Sequence, residues 1–331
     1  MILVTGGTGF IGSVLIAELN RMGFNDILIV DRLGTGPKWK NLRGLKYSDI
    51  IHVDNFYDMD MEQVFAQVEM IYHIGACSST TQTNADYLWE NNTQFSKNMF
   101  LFATQHEIPL IYASSAATYG DGECGYDDDH DQIDQLRPLN MYGYSKQAFD
   151  QWVLAQSDTP PVWIGLKFFN VYGPNEYHKD EQRSIVHKSF EQIRDAGKVR
   201  LFKSHRQEFK DGEQLRDFVY VLDVVKAMLM MGQQAQPSQS GIYNMGHGKG
   251  RSFKDLVTAV FKSMGKKVDI EYIDMPESIR HQYQYFTQAN MQKFHSQFPG
   301  FEFCKLEYGV RDYVENYLLK DSYFPSATGE R

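Results

Sequence analysis

A glycine-rich turn between a predicted strand and a predicted helix constrains the fold of this chain most. Residues 2–5 are a short apolar run, and residues 6–12 follow with the spacing G-x-x-G-x-x-G. A helical apolar pattern comes directly after them, so the glycines connect a strand to a helix. Glycine permits a tight turn and lets a pyrophosphate approach the backbone N–H groups at the helix start. The context therefore predicts a dinucleotide-binding turn rather than an ordinary glycine-rich loop.

The next predicted strand ends in an acidic residue. Asp31 closes the apolar run 27–30 and lies 19 residues past Gly12, as the dinucleotide-binding fingerprint requires. A carboxylate there accepts hydrogen bonds from the adenosine ribose, which favours NAD. Arg32 and Lys38 follow, and their charges could either neutralise a ribose 2′-phosphate or simply face solvent. The spacing leaves both NAD and NADP open.

Short apolar strands and amphipathic helices alternate along the first half of the chain. A long helix is predicted at 84–105, and further strands are predicted at 49–53, 69–73, 109–113 and 162–169. Such alternation, without internal repeats, predicts an α/β fold with a Rossmann-like, doubly wound parallel sheet and right-handed crossovers.

The alternation loosens after residue 169, which indicates a change of architecture. We expect residues 1–169 to form a dinucleotide-binding Rossmann domain. Residues 170–331 are expected to form mainly a smaller C-terminal α/β substrate-binding domain. Segments at about 215–245 are expected to return to the first domain.

Small and polar residues follow the strands at the edge where a ligand would bind. Ligands of doubly wound sheets lie beyond the carboxyl ends of the strands. The glycine turn, residues 75–78 and residues 114–115 all lie at that edge. Cys77 is interpreted as a small packing residue rather than a nucleophile, because no histidine is tied to it by the sequence.

A tyrosine and a lysine four residues apart begin another predicted amphipathic helix. Tyr142 and Lys146 would share one face of this helix, while Tyr144 would point elsewhere. A phenol normally loses its proton near pH ~10. A cation beside it lowers its pKa, so Lys146 could make Tyr142 an acid–base group at neutral pH. The pair is common by chance, and its meaning depends on the surrounding motifs.

Charge, cysteine content and hydropathy argue against several classes of protein. The 331 residues carry a formal net charge of −9, so we expect no nucleic-acid partner. Three cysteines without a C-x-x-C pair favour a reducing compartment over a disulfide framework. No apolar stretch reaches the roughly 18 residues of a membrane span. A first strand at Ile2 leaves no room for a signal peptide, so we expect a cytoplasmic protein without a membrane partner.

No metal site is expected from the acidic residues or the histidines. The acidic stretch 127–131 lacks the alternating ligands and turn glycine of a cation-binding loop, and we interpret it as a solvated surface loop. The 10 histidines are scattered without metal-ligand spacing.

Five motifs resemble those of the extended short-chain dehydrogenase/reductase family, in the order in which that family carries them. They are T-G-G-T-G-F-I-G at 5–12, S-S-A-A-T-Y-G at 114–120, Y-x-x-x-K at 142–146, N-V-Y-G-P at 170–174 and R-D-F-V-Y-V at 216–221. The resemblance implies a Rossmann domain with a nicotinamide cofactor. It also implies Tyr142 as the acid–base group, Lys146 on the nicotinamide ribose, and Ser115 hydrogen-bonded to the reacting oxygen.

Other segments are similar to the branch of this family that epimerises ADP-linked heptoses. They are G-A-C-S-S-T-T at 75–81, Y-A-S-S-A-A-T-Y-G at 112–120, Y-G-Y-S-K at 142–146, H-K at 178–179 and F-T-Q-A at 286–289. The resemblance implies an ADP-sugar substrate, NADP as the cofactor and a homo-oligomer, specifically a pentamer. It implies inversion at C6 of the heptose for lipopolysaccharide core synthesis, with Lys179 as a second acid–base group opposite Tyr142.

The residues after Ser115 favour epimerisation over dehydration. Related dehydratases place an acidic pair there to eliminate water beside the keto group. This chain has Ala116 and Ala117, which cannot transfer protons.

The resemblance assigns individual residues to the cofactor and to the substrate. The expected cofactor-binding residues are Gly6, Gly9, Phe10, Ile11, Gly12, Asp31, Arg32, Lys38, Gly75, Ala76, Cys77, Ser78, Asn91, Tyr142, Lys146, Val171 and Lys179. The expected substrate-binding residues are Ser78, Ser115, Asn170, Phe202, Arg216 and Tyr283, with Arg216 as a fork on the diphosphate.

Three departures from the family pattern bear on the substrate and leave alternatives open. Lys167 replaces the usual arginine and loses bidentate geometry, while residues 180–183 and 203–214 differ where the sugar nucleotide should bind. A UDP-hexose 4-epimerase of the same family would have no evident use for Lys179, which could instead be a surface or diphosphate-binding lysine. A non-catalytic NADP-binding regulator would commonly lose Tyr142 or Lys146, and both are present.

Overall fold

The computed structural model describes residues 1–280 and 283–325 as strands, helices and connecting turns. Its strands are β1 (Ile2–Thr5), β2 (Ile27–Asp31), β3 (Asp49–His52), β4 (Met70–His73), β5 (Leu110–Ser115), β6 (Trp163–Phe168), β7 (Asn170–Tyr172), β8 (Val199–Phe202), β9 (Leu215–Tyr220), β10 (Gly241–Met245), β11 (Gly250–Ser252) and β12 (Ile270–Ile273). Its helices are α1 (Phe10–Arg21), α2 (Met61–Phe65), α3 (Ala85–Leu88), α4 (Phe95–Gln105), α5 (Met141–Leu154), α6 (Ile185–Ala196), α7 (Val221–Gln234), α8 (Phe253–Ser263), α9 (Glu277–Arg280), α10 (Gln292–Gln297) and α11 (Leu306–Tyr313).

A parallel sheet of seven strands forms the centre of the described structure. Its order is β10-β6-β5-β4-β1-β2-β3, and every pair in it is parallel. Strands β1 and β5 are buried along their whole length, as expected where helices cover both faces. The chain moves outward from β1 to β3 and then returns to β4 on the other side of β1. A crevice for ligands therefore forms beyond the carboxyl ends of β1 and β4, and the predicted fold class is confirmed.

Helices cover the sheet in separate groups. Helix α1 packs against α7, whereas α4 and α5 pack together and contact β4 and β5. The helix predicted at 84–105 forms as α3 and α4 joined by a π-helical segment, Trp89–Gln94. Such widened turns occur frequently at functional sites. This one carries Asn91 and Asn92, which lie behind the loop that follows β4.

Residues after 169 contribute two small sheets and one strand of the central sheet. Strand β9 pairs in parallel with β7 and antiparallel with β11, and β8 pairs in parallel with β12. Helices α6 and α11 both pack on α8, which begins at an N-cap formed by Ser252 and Asp255 as a capping box. Strand β10 lies beside β6 at the edge of the central sheet. The division into domains at residue 169 stays a prediction.

The acidic stretch 127–131 is exposed at Asp129 and Asp131, as a solvated loop would be, but Asp128 departs from that prediction. Asp128 is buried, and its Oδ2 atom accepts a hydrogen bond from the Asn244 N–H of β10 at 2.7 Å. Lys293 donates to the Asp128 carbonyl oxygen at 3.1 Å and to that of Ile242 at 2.9 Å. The interpretation was wrong for Asp128 alone, because this residue covers the edge strand of the sheet, where a backbone N–H needs an acceptor.

The described part of the chain contains no helix with the length and apolarity needed to cross a membrane. Within the same residues, no three His, Cys, Asp or Glu side chains gather closely enough to hold a metal ion.

Candidate active site

One cleft at the carboxyl ends of the central strands brings most of the predicted site residues together. Its volume is about 560 Å³. The predicted residues that line it are Gly6, Gly9, Phe10, Ile11, Gly12, Asp31, Lys38, Gly75, Ala76, Ser78, Ser115, Tyr142, Lys146, Asn170, Val171 and Lys179. The predicted residues outside this lining are Arg32, Cys77, Asn91, Phe202, Arg216 and Tyr283.

The glycine turn between β1 and α1 forms a cradle that only glycine can build. Gly6 has a φ of +68°, and a Cβ there would lie 2.6 Å from the Cα of Gly75. A Cβ on Gly12 would lie 2.2 Å from the Gly6 carbonyl oxygen. These close approaches place backbone at the floor of the cleft and at the start of α1, where a pyrophosphate would bind. The geometry fits the dinucleotide that the glycine spacing predicts.

Asp31 is the centre of a hydrogen-bonded group at the end of β2. Its Oδ2 atom accepts from the N–H and hydroxyl of Thr8 at 2.9 and 2.5 Å. Its Oδ1 atom accepts from Lys38 Nζ at 2.7 Å. Arg32 turns away to donate to Asn91 at 2.7 Å and to Asp54 at 2.5 Å. Of the two cations expected near the ribose, Lys38 lines the cleft, whereas the Arg32 guanidinium is hydrogen-bonded to Asn91 and Asp54.

Ser115, Tyr142 and Lys146 meet where β5 ends and α5 begins. Asn140 caps α5 by accepting from the Gly143 N–H at 2.9 Å, which fixes the helix start beside the strand end. The Ser115 side chain lies near enough to the Tyr142 phenol to lower its pKa. The Lys146 ammonium is buried and donates to the Ala113 carbonyl oxygen at 2.8 Å. The three side chains whose meeting was predicted from separate motifs therefore line one wall of the cleft.

The pKa of Tyr142 does not shift in the predicted direction. Burial of the phenol raises its pKa above the ordinary value, and the nearby Ser115 side chain only partly opposes this. Burial also lowers the pKa of Lys146 to about 8. Burial therefore sets the direction of the shift, and the expected lowering of the Tyr142 pKa by Lys146 stays a prediction.

Lys179 reaches the same cleft from a different element. It lies in a 3-10 turn, Tyr177–Gln182, that follows β7. Its ammonium lies 5.7 Å from the centre of the Phe10 ring. Burial lowers the pKa of Lys179, and the nearby carboxylate of Glu176 partly opposes that shift. The side chain is partly buried and lines the cleft, which disfavours the alternative of a surface lysine, and its role as an acid–base group stays a prediction.

A buried arginine and three aromatic rings form a group beside the cleft, and of these four residues only Phe253 belongs to the lining. The Arg216 guanidinium lies 5.3 Å from the Tyr283 ring centre and 5.5 Å from that of Phe253. Phe202 meets Tyr283 edge to face at 6.2 Å. Among residues 1–280 and 283–325, no carboxylate forms an ion pair with Arg216, whose NH1 donates to the Leu215 carbonyl oxygen at 2.9 Å. A buried guanidinium so placed is suited to an anionic ligand.

Two positions that matter to the site were missed or incompletely understood from the sequence. Lys167, the substitute for the usual arginine, donates to Thr118 at 2.7 Å and to the buried carboxylate of Asp150 at 3.0 Å. Asp150 also accepts from the Ser114 hydroxyl at 2.6 Å and so supports the strand end beside Ser115. Phe253 lines the cleft. The sequence feature that could have drawn attention to it is its place as the first residue of the helix that Ser252 caps.

Cys77 and Asn91 have supporting places behind the cleft. The Cys77 N–H donates to Asn92 Oδ1 at 2.9 Å, and Asn92 Nδ2 donates back to the Cys77 carbonyl oxygen at 3.0 Å. Asn91 Nδ2 donates to Asn92 Oδ1 at 3.0 Å. These bonds fix the loop after β4 to the π-helical segment, which agrees with a packing position for Cys77.

Comparisons with known proteins agree with this site. The profile of the NAD dependent epimerase/dehydratase family matches residues 2–246. A curated ADP-L-glycero-D-manno-heptose-6-epimerase from Fusobacterium nucleatum subsp. nucleatum is 48% identical, over 98% of this chain and 100% of that protein. One of the same name from Nitratidesulfovibrio vulgaris is 47% identical, over 96% of this chain and 98% of its own. The crystal structure of Helicobacter pylori ADP-L-glycero-D-manno-heptose-6-epimerase superposes with a TM-score of 0.80 at 30% identity and covers 95% of each chain. The chain therefore belongs to the NAD-dependent epimerase/dehydratase family of extended short-chain dehydrogenase/reductases.

Proposed function

We propose that this protein is an isomerase that converts ADP-D-glycero-D-manno-heptose into ADP-L-glycero-D-manno-heptose. The inversion at C6 proceeds through a transient 6-keto sugar. The observation that carries the proposal is a single cleft with two proton-transfer groups, Tyr142 and Lys179, beside a dinucleotide-binding turn. Relatives that are 47–48% identical over nearly the whole chain bear the name of this activity.

The cofactor we propose is NADP, held along the cleft from the glycine turn to Lys146. A bound nicotinamide would supply reversible acceptance of hydride from C6 of the sugar. The backbone at Gly6, Gly9 and Gly12 would hold the diphosphate, and Asp31 the adenosine ribose. Lys38 would meet the 2′-phosphate because its ammonium already lies at the ribose end, bonded to Asp31 at 2.7 Å.

Inversion at C6 requires proton transfer on two sides of the sugar. The C6 hydroxyl loses its proton as C6 is oxidised, and the keto oxygen regains a proton after the sugar has turned. We propose that Tyr142 exchanges a proton with the C6 oxygen of one epimer and Lys179 with that of the other. In one direction Tyr142 is the base and Lys179 the acid, and in the reverse direction these roles are exchanged. The two groups re-equilibrate with solvent between turnovers, so the net uptake of protons is zero.

The remaining residues position the substrate and the reacting oxygen. Ser115 would donate its hydrogen bond to the keto oxygen as negative charge develops there, and Lys146 would hold the nicotinamide ribose. Ala116 and Ala117 offer no proton-transfer group next to Ser115, so the keto sugar is not dehydrated. Ser78 and Asn170 would contact the sugar nucleotide from the cleft wall.

The ADP moiety would lie at the end of the cleft lined by Phe253, where its diphosphate could reach the adjacent Arg216. Its buried guanidinium, with burial lowering its pKa, would donate to the diphosphate as a fork. Phe202 and Tyr283 would pack beside the nucleotide. Residues 180–183 and 203–214 depart from the family near this end, and the substrate panel below tests whether they change the nucleotide or sugar that is accepted.

The biological setting follows from the proposed reaction. We place it in the cytoplasm, in the supply of precursors for the lipopolysaccharide core. We propose a homo-oligomer, with a pentamer as the expected form. We also retain the division into a Rossmann domain at 1–169 and a substrate domain at 170–331, with segments at about 215–245 returning to the first.

A panel of sugar nucleotides tests the proposed reaction. We expect the purified protein to epimerise ADP-D-glycero-D-manno-heptose with a kcat/KM at least about 100-fold above that for UDP-glucose, as followed by NMR of the C6 and C4 protons. Faster inversion at C4 of a UDP-hexose would overturn the proposal in favour of a 4-epimerase. Cofactor binding without turnover of any sugar nucleotide would indicate a regulator.

Replacement of Lys38 tests the choice of cofactor. We expect Lys38→Met to weaken NADPH binding by about 10- to 100-fold, because a charge-assisted bond to phosphate is lost, while NADH binding stays nearly unchanged. Fluorescence titration of cofactor-stripped protein measures both affinities. Lys40→Met, on the same turn but outside the cleft lining, is the matched control. An equal loss for NADPH and NADH would contradict the role of Lys38.

A further inference from the structure

The loop that carries Lys179 has little regular structure of its own. It runs from Gly173, after β7, to Ser184, which caps α6. Within it lies only the short 3-10 turn, whose helical geometry is broken at Asp180 with φ 47° and ψ −119°. A segment of this kind is held by tertiary contacts rather than by its own hydrogen bonds. The contacts that fix it therefore decide where the Lys179 ammonium lies.

The Asn175 side chain connects this loop to two distant parts of the chain. This side chain is fully buried. Its Oδ1 atom accepts from the Phe324 N–H at 2.8 Å, and its Nδ2 atom donates to the Phe324 carbonyl oxygen at 2.9 Å. The same Nδ2 donates to the Ser13 hydroxyl at 3.0 Å. Asn175 thus ties the loop to the C-terminal segment and to α1, which begins at the glycine turn.

The backbone of Asn175 is also fixed on the cofactor side. Its carbonyl oxygen accepts from Asn41 Nδ2 at 3.1 Å, and the same Nδ2 donates to the Thr8 carbonyl oxygen in the glycine turn at 3.0 Å. The φ of Asn175 is +73°, a conformation that asparagine adopts more readily than most residues. The residue therefore joins three parts of the chain at a point four residues before Lys179.

Neighbouring residues attach the loop to the same C-terminal segment. The Tyr177 hydroxyl donates to the Ser322 carbonyl oxygen at 2.8 Å, and its ring meets that of Tyr323 edge to face at 4.7 Å. The buried carboxylate of Glu176 accepts from the Ser184 hydroxyl at 2.6 Å and closes the loop on itself. Residues 322–324, which we call the strap, thus hold the loop through contacts with Asn175 and Tyr177.

We propose that Asn175 is a positioning residue for Lys179, which it fastens through the backbone of Phe324 and the hydroxyl of Ser13. The inference rests on the proposed function, because it needs Lys179 to act on the C6 hydroxyl. Asn175 acts only through the loop and makes no contact with the reacting atoms. The strap 322–324 is thereby part of the support of the active site, although it lies more than 140 residues away in sequence.

The experiment replaces Asn175 with glycine, which keeps the left-handed backbone accessible and removes the three side-chain bonds. We expect kcat to fall about 10- to 100-fold, the loss typical of a displaced catalytic group, with KM and NADPH affinity nearly unchanged. Asn20→Ala is the matched control. Asn20 lies at the far end of α1. Its Oδ1 atom accepts from the Lys46 N–H at 2.7 Å, and its Nδ2 atom donates to the carbonyl oxygens of Lys46 and Phe24 at 2.8 and 2.9 Å. That variant should keep the kcat of the native protein.

A pH profile distinguishes a displaced Lys179 from a general loss of stability of the protein. The groups that face Lys179 are Glu176, His178 and the Phe10 ring, and burial among them lowers its pKa. A loosened loop would admit water and raise that pKa toward its ordinary value. In the direction in which Lys179 takes the proton from the C6 hydroxyl, its amine must be uncharged. The acid limb of kcat measured in that direction should therefore move to higher pH in Asn175→Gly and stay in place in Asn20→Ala.

Each outcome decides between the inference and its rivals. An unchanged kcat in folded Asn175→Gly, an unmoved acid limb, or an equal fall in Asn20→Ala would overturn the positioning role. If Asn175→Gly does not fold, Tyr177→Phe removes only the bond to Ser322, and a native kcat in that variant would overturn it. Lys179→Met is assayed in parallel. Full activity there would remove Lys179 from the proposed function, whereas its inactivity beside a fully active Asn175→Gly would reject this inference alone.

Discussion

Replacing Tyr142 with phenylalanine is expected to lower kcat about a thousandfold, within the range for the loss of a general acid–base group. The change removes only the hydroxyl beside Ser115 and keeps the ring that packs in the cleft wall. The fold and the affinity for NADPH should therefore be unchanged. Steady-state kinetics with ADP-heptose, circular dichroism and cofactor titration measure these three properties.

Tyr144 provides the matched control for this prediction. It lies two residues further along α5, and its side chain is 49% exposed, so Tyr144→Phe should keep native activity. A native kcat in Tyr142→Phe would contradict the assignment. An equal loss in Tyr144→Phe would show that the helix, rather than the Tyr142 hydroxyl, had been disturbed.

Replacing Lys179 with methionine is expected to lower kcat by a similar factor, about a thousandfold, with little change in KM. Methionine keeps the length and apolar stem that pack near Phe10 but cannot exchange a proton. The surviving alternative, a lysine that binds the substrate diphosphate, predicts the opposite pattern. KM would then rise while kcat stayed nearly constant.

The pH dependence of the native enzyme follows from the same side chain. Burial lowers the pKa of Lys179, so the uncharged base is present at a lower pH than for an exposed lysine. Activity in the direction in which Lys179 acts as the base should therefore fall as pH drops below that lowered pKa. Lys198→Met is the control, because Lys198 forms an exposed ion pair with Glu271 at 2.6 Å and should leave both kcat and the pH profile unchanged.

The parts of the structure that sequence predicted well depend on local rules. The glycine turn was recognisable because a Cβ at Gly12 would collide with the backbone of Gly6, a constraint that acts within seven residues. Tyr142 and Lys146 share a helix face because of helical periodicity. The parallel sheet followed from alternating apolar runs, because strands covered on both faces must be apolar.

The parts that escaped prediction depend on contacts between distant residues. Asp128 looked solvated within an acidic stretch, but β10 supplies a backbone N–H that its carboxylate accepts at 2.7 Å. Arg32 was expected to bind the cofactor, but its guanidinium lies 2.5 Å from the Asp54 carboxylate. Its role at the cofactor stays a prediction. The pKa of Tyr142 rises mainly because the phenol is buried, and burial is a property of the whole fold. Asn175 carries no motif, since its partner is the backbone of Phe324.

Turnover in deuterated water follows the hydrogen on C6. The proposed mechanism requires C6 to give up this hydrogen in the cleft and to receive the same hydrogen back on the other face. ADP-heptose converted in deuterated water should therefore carry protium at C6 in both epimers, as read by NMR after many turnovers. Deuterium at C6 would contradict the proposed mechanism, because it would require the hydrogen to leave as an exchangeable proton.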